Sequence, residues 1–183
     1  MFSKAVTLLA LASAAAAHLH LDYPPTLKGD NNPYTQGQPD NYLNYPFGCC
    51  AQPDEKSQVC KGHLGLLDTD EGKPTATWTA GQTANFSLSG LAIQNTIENP
   101  DGSNHGGGSC QVGFSTDKGE TFKVVKTWQG NCPPHDVESP EPSAMTFDFD
   151  VPADLPTGDV VFAWTWVNRK YLSAFPCAPC TIC

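Results

Sequence analysis

From Thr75 onward, apolar and polar residues alternate over short stretches punctuated by glycine, which is the period of strands rather than of helices. Phe147, Phe149 and Val151 interleave with Asp148 and Asp150, giving one apolar and one wet face. Residues 75–78 and 85–88 read as further short strands bounded by Gly81 and Gly90. Residues 111–115 and 121–125 flank Asp117-Lys118-Gly119, a hairpin signal. Residues 160–167 are apolar on both faces, as expected of a central strand covered on both sides. Residues 18–22 alternate as a short strand that Pro24-Pro25 ends. No amphipathic helical period follows residue 17. The pattern predicts an all-β fold: an immunoglobulin- or fibronectin-III-like antiparallel β-sandwich with a long disulfide-anchored N-terminal loop.

The first seventeen residues have a different texture. A lone charge at Lys4 precedes the apolar run 5–12, and the small residues Ser13 to Ala17 follow. That order is expected of a secretory signal peptide, too short to span a bilayer. Cleavage after Ala17 would free the α-amine of His18. Residues 18–183 then have the size of a single domain with its own core. Between the first strand and Thr75, residues 26–73 carry no helix or strand period and are rich in Asn, Pro, Gly and Tyr. A stretch of that length is either functional or disordered, and Cys49, Cys50 and Cys60 argue for an anchored loop. Its Tyr34, Tyr42, Tyr45 and Phe47 are suited to stacking on sugar rings, or equally to a satellite core beneath the loop. A second loop, 133–143, is proline-rich, and its Asp136, Glu138 and Glu141 read as a solvated face. Asn85-Phe86-Ser87 is an N-glycosylation acceptor sequence set in an apparent strand.

Charge narrows the partners. The chain carries −9, and loss of residues 1–17 removes only Lys4, making it −10. Nucleic acid and anionic membrane both want a basic patch, so neither is expected. An uncharged polysaccharide is compatible. No later stretch is long and apolar enough to cross a membrane, so an extracellular, monomeric product is expected. The eight cysteines fit a secreted disulfide framework. Cys177, Cys180 and Cys183 form C-x-x-C-x-x-C, which in a reducing compartment would suggest zinc or iron–sulfur ligation. Outside the cell, disulfides take precedence.

The candidate chemistry centres on two histidines. As a first residue, His18 offers its α-amine and ring Nδ1 to one metal ion. His105 begins His-Gly-Gly-Gly-Ser-Cys, where the glycines leave space for a large flat partner and permit backbone conformations a Cβ would forbid. Three neutral nitrogens in a T favour copper over zinc. Each histidine alone is more simply an ordinary loop residue, and it is their co-occurrence on a secreted β-sandwich that favours the metal site. His20 adds a rival: His-Leu-His at a free terminus can hold copper(II) through the amine, two deprotonated amides and the third ring, although backbone amides committed to a sheet oppose this. His63 and His135 read as plain surface histidines. No Ser/His/Asp grouping, phosphate loop or HExxH motif occurs, and no two acidic residues stand out as facing carboxylates of a glycosidase.

His18, the 105–111 segment, Asp117-Lys118-Gly119-Glu120-Thr121-Phe122-Lys123-Val124, Gly130-Asn131-Cys132-Pro133 and Phe162-Ala163-Trp164-Thr165-Trp166-Val167-Asn168 together resemble fungal lytic polysaccharide monooxygenases. Auxiliary-activity class eleven, the chitin-active type, is the nearest match, and Cys60-Lys61-Gly62 also fits. The resemblance covers most of residues 18–183. It implies a copper histidine brace from His18 and His105, the catalytic pair. It further implies oxidative cleavage of chitin or a related β-1,4-linked polysaccharide, with an external electron donor and dioxygen or hydrogen peroxide. It also implies pairing of Cys110 with Cys132, and of Cys60 with a cysteine after the last strand such as Cys177. The chain departs from the family after Asn168-Arg169, where Glu-x-Tyr would supply a Glu just outside the copper ligands and the axial Tyr. Lys170-Tyr171-Leu172 stands there instead, leaving Tyr171 as the axial metal candidate. The opening Leu21-Asp22-Tyr23-Pro24-Pro25 is similar to that of copper-binding relatives that do not cut sugar. A non-catalytic copper-binding or copper-delivery protein therefore stands as the alternative, with a metal-free cell-wall polysaccharide-binding module more remote.

Overall fold

The computed structural model describes residues 19–45, 53–94, 101–137, 139–168 and 180–182. Among the described residues seven strands form: β1 (His20–Tyr23), β2 (Thr83–Ser89), β3 (Gly108–Ser115), β4 (Lys123–Trp128), β5 (Thr146–Asp150), β6 (Val161–Asn168) and β7 (Cys180–Ile182). They form two antiparallel sheets, ordered β1-β2-β5 and β4-β3-β6-β7. The chain changes sheet between β2 and β3, again between β4 and β5, and again between β5 and β6, so the two layers are locked by Greek-key crossings. This is the antiparallel sandwich that the alternation predicts.

Alternation also decides what fills the interior. Leu21, Phe86, Leu88 and Phe149 from the three-stranded sheet meet Val112, Phe114, Phe162, Trp164 and Trp166 from the four-stranded one. Each buried side chain of this size contributes roughly 1.5–3 kcal/mol relative to exposure. The rings meet at angles that suit their quadrupoles: Phe149 stacks on Phe162 at 5.3 Å, and Trp78 stands edge-on to Phe162 at 5.1 Å. β6 lies between β3 and β7, and its inner face is packed along its length while its outer face is packed at Val161 and Ala163 and open at Val167. Phe162, Trp164 and Trp166 enter the main core, while Val161 and Ala163 pack outward against Cys60, Leu64, Leu67 and Phe122. The long N-terminal loop thus covers the outer face of β6 at those two residues.

Among the described residues that loop holds only short 3-10 turns, none longer than four residues. Specific polar contacts substitute for regular structure. Lys28 pairs with Glu71 at 2.8 Å, and the same carboxylate accepts the Gln36 N–H at 2.8 Å. Those two contacts, the backbone donor foremost, hold the Glu71 carboxyl below its ordinary range. Lys61 is fully buried and donates to the Tyr45 carbonyl. Cys60 is buried and disulfide-bonded; Cys49, Cys50 and Cys177 lie outside the described residues.

One expected strand is absent. Residues 75–78 form no ladder; Thr75 is tied by its hydroxyl to the Pro25 carbonyl at 2.8 Å. Trp78 instead caps the open end of the core against Phe114, Phe149 and Phe162. Its apolarity signalled burial correctly, but as a lid rather than as a strand face. Asn85 of the glycosylation sequence is exposed on β2, opposite Asp148.

Candidate metal-binding pole

The sheet registers bring three distant segments to one end of the sandwich. His20 pairs with Ser89, so the start of β1 lies beside the end of β2. Immediately after that end, the Gly90 carbonyl accepts the Gly102 N–H at 2.6 Å, and Asp101 accepts the Ala92 N–H at 2.9 Å. The chain then runs through His105 into β3, whose first residue Gly108 pairs with Asn168 at the end of β6. Asn168, the last residue of β6, therefore lies at this same pole.

His105 is held there by a tight turn. Asn104 accepts the Gly106 N–H through its side chain (2.9 Å) and the Gly107 N–H through its carbonyl (2.8 Å). Its amide donates to the Pro134 carbonyl at 2.5 Å and to that of Val137. His105 takes a φ of +49°, Gly106 +73° and Gly107 +85°. A histidine in left-handed backbone costs about 1–3 kcal/mol and persists where surrounding structure over-determines it, most often at functional sites. Its side chain is 6% exposed, yet nothing lies within 4 Å of where a Cβ on Gly106 would project. The turn thus presents a nearly buried imidazole beside open space. His18 and Tyr171 lie outside the described residues.

The described part of the site suits copper: a buried imidazole such as that of His105 is an intermediate nitrogen ligand of the kind copper takes. Among the described residues, no three His, Cys, Asp or Glu side chains gather as a metal site.

His20 does not serve the rival arrangement. Its ring is 5% exposed and its backbone belongs to the β1–β2 ladder, so neither ring nor amide is presented at the surface. Burial, partly opposed by the Asp30 charge, pushes its pKa down to about 4. The ring is neutral in the folded protein between about 4 and 6.5, while the unfolded chain takes up a proton there. Stability is therefore expected to fall as pH drops from 6.5 toward 4, by up to about 3 kcal/mol. Denaturant midpoints at pH 7.5 and pH 4.5 measure this, and His20→Leu should flatten that part of the slope.

The other histidines differ from expectation in one case and gain a neighbour in the other. His63 is not a surface group: its side chain is 12% exposed and its Nε2 meets Asp40 at 2.6 Å. His135 is exposed, but its loop packs on Gly107. The aromatic loop docks near the same pole: Asn44 is buried and donates to the Leu91 carbonyl at 3.2 Å, and Gln94 meets Gln38 at 2.5 Å. Tyr42 and Tyr45 lie half-buried with ring centroids 5.6 Å apart, and burial, with Tyr42 beside it, raises the Tyr45 hydroxyl above the usual phenol range. Tyr34 sits elsewhere, under the Lys73 ammonium. Phe47 lies outside the described residues. The Cys110–Cys132 bond expected from the family resemblance is present.

No family profile matches the chain. Curated proteins do. An AA11 family lytic polysaccharide monooxygenase A of Aspergillus fumigatus is 34% identical over 168 residues, covering 92% of this chain. An AA11 family lytic polysaccharide monooxygenase of Aspergillus oryzae is 29% identical over 197 residues and the whole of this chain. The chain is a homologue of the AA11 lytic polysaccharide monooxygenases. It spans 65% of the length of the first AA11 relative and 40% of the second. Among solved structures, the Cu(I) solution structure of a chitin-active lytic polysaccharide monooxygenase aligns over 90% of this chain and 98% of that one. The TM-score is 0.36 and the identity 15%, too low a likeness to inform the site of this AA11 homologue.

Proposed function

We propose that the protein is a secreted, copper-dependent polysaccharide monooxygenase acting on chitin, with His18 and His105 as its histidine brace and Tyr171 as the axial ligand. In this reading residues 1–17 are removed as a signal peptide and residues 18–183 act as one monomeric domain. One observation carries it: the start of β1 and the His105 turn converge on one pole through the His20–Ser89 pairing and the Gly102–Gly90 bond. One residue, Leu19, separates His18 from β1, a reach of about 7 Å at most between the two Cα atoms. The relatives' own descriptions as AA11 lytic polysaccharide monooxygenases support the reaction class. Among the described residues, no helix is long and apolar enough to cross a membrane.

Bound copper would supply the one-electron chemistry that activates dioxygen or hydrogen peroxide once an external donor has reduced it. The chain's own contribution is geometric. The Asn104 turn fixes the backbone on which His105 stands, and the space beside Gly106 leaves room for a flat crystalline polymer. The −9 charge of the whole chain favours an uncharged polysaccharide over a polyanion.

The secreted product is expected to begin at His18 by N-terminal sequencing. With copper and ascorbate it should release oxidised chitin oligosaccharides detectable by mass spectrometry. A product that begins elsewhere, or whose amine is blocked, cannot form the brace. The missing Glu after Arg169 favours a second reading, a copper carrier of the same fold, and tight copper binding without oxidised product would select it.

A further inference from the structure

The loop that follows β4 is fixed to the His105 turn between Gly130 and Val137. Cys132 is bonded to Cys110 of β3, and its N–H reaches the Gly108 carbonyl at 3.1 Å. The Gly130 N–H reaches the Ser109 hydroxyl at 3.1 Å, and the Asn104 amide takes the Pro134 and Val137 carbonyls. The fit at Gly107 is close: a Cβ there would stand 2.8 Å from the Pro133 carbonyl and 3.2 Å from the His135 Cβ. His135 therefore stands two residues from His105 across a backbone contact, on a segment with little freedom to move. Its side chain is nonetheless exposed, as is that of Asn131. The two are joined, His135 Nδ1 to Asn131 Oδ1 at 3.2 Å.

That bond sets the ring's chemistry. When Nδ1–H donates to the amide oxygen, Nε2 of the neutral ring is left as an acceptor. A fixed acceptor beside the exposed amide of Asn131 matches the hydroxyl and acetamide N–H donors of a neutral polysaccharide. Because the loop is already ordered, little conformational freedom is lost when such a chain docks.

We propose that His135, oriented by Asn131, is a substrate-contact residue that seats the polysaccharide against the His105 pole. The assignment rests on the polysaccharide-directed function above. It is tested with the copper-loaded, full-length secreted protein by adsorption to chitin particles. His135→Ala is expected to weaken adsorption about 3- to 10-fold, the worth of one or two hydrogen bonds. Copper affinity, the unfolding midpoint and the rate of reductant-driven peroxide formation without chitin should remain within 2-fold or within error. His135→Gln, which keeps an acceptor, should recover part of the loss, and Asn131→Ala should lose less than His135→Ala. Adsorption of His135→Ala equal to wild type overturns the assignment while leaving the enzyme reading intact. Wild-type protein that binds copper but not chitin overturns both.

Discussion

Replacing His105 with Asn is expected to lower copper affinity by ~100-fold or more and to abolish oxidised product, while the metal-free fold survives. The direction follows from position. His105 is a nearly buried imidazole held by a left-handed turn at the pole, and a second-sphere partner alone is commonly worth 10–100-fold. Asn is the informative replacement because it tolerates the left-handed φ of +49° better than Ala, so strain is not confused with ligand loss. His105→Ala should show the same loss of copper with an added destabilisation of about 1 kcal/mol. Copper titration calorimetry and the copper(II) spin-resonance spectrum measure the first effect; thermal melting of the metal-free protein measures the second. Unchanged affinity in His105→Asn would sink the brace, whatever the secreted N-terminus proves to be.

Phe162→Ala is expected to cost about 3–5 kcal/mol, and to lower the melting temperature by roughly 10 °C or more for a domain of this size. Phe162 is fully buried on the central strand of the larger sheet, and its ring meets those of Trp78, Phe86, Phe114 and Phe149. Because it joins both sheets and the Trp78 lid, its loss opens a cavity that neighbouring elements cannot readily close. Val167→Ala on the same strand is the control. Val167 is 45% exposed, and its truncation should change stability by no more than about 0.5 kcal/mol. Equal effects of the two substitutions would mean that β6 does not carry the core.

The strands were legible where one face is buried, since alternation records which side of a sheet meets the core. Phe147 and Phe149 against Asp148 and Asp150 identify β5 directly, and Asp117-Lys118-Gly119 marks the β3–β4 hairpin, in which Lys118 and Gly119 take positive φ. Trp78 was misplaced into a strand because apolarity reports burial, not the partner that provides it. The His63–Asp40 pair was invisible for a related reason: 23 residues separate the two, and no period connects them. His135 could have been suspected, since the expected Cys110–Cys132 bond puts residues 132–135 beside the start of β3.

By itself the sequence determined the sandwich, the hairpin and the apolar sixth strand. Those properties depend on local period and on side-chain chemistry, which are written residue by residue. Tertiary structure alone decided that His20 is interior, that the tyrosine loop roofs β6, and that residues 19, 105, 135 and 168 attend a single pole. Such neighbours are separated by tens of residues along the chain, and only the pairing of strands across two sheets converts that separation into contact.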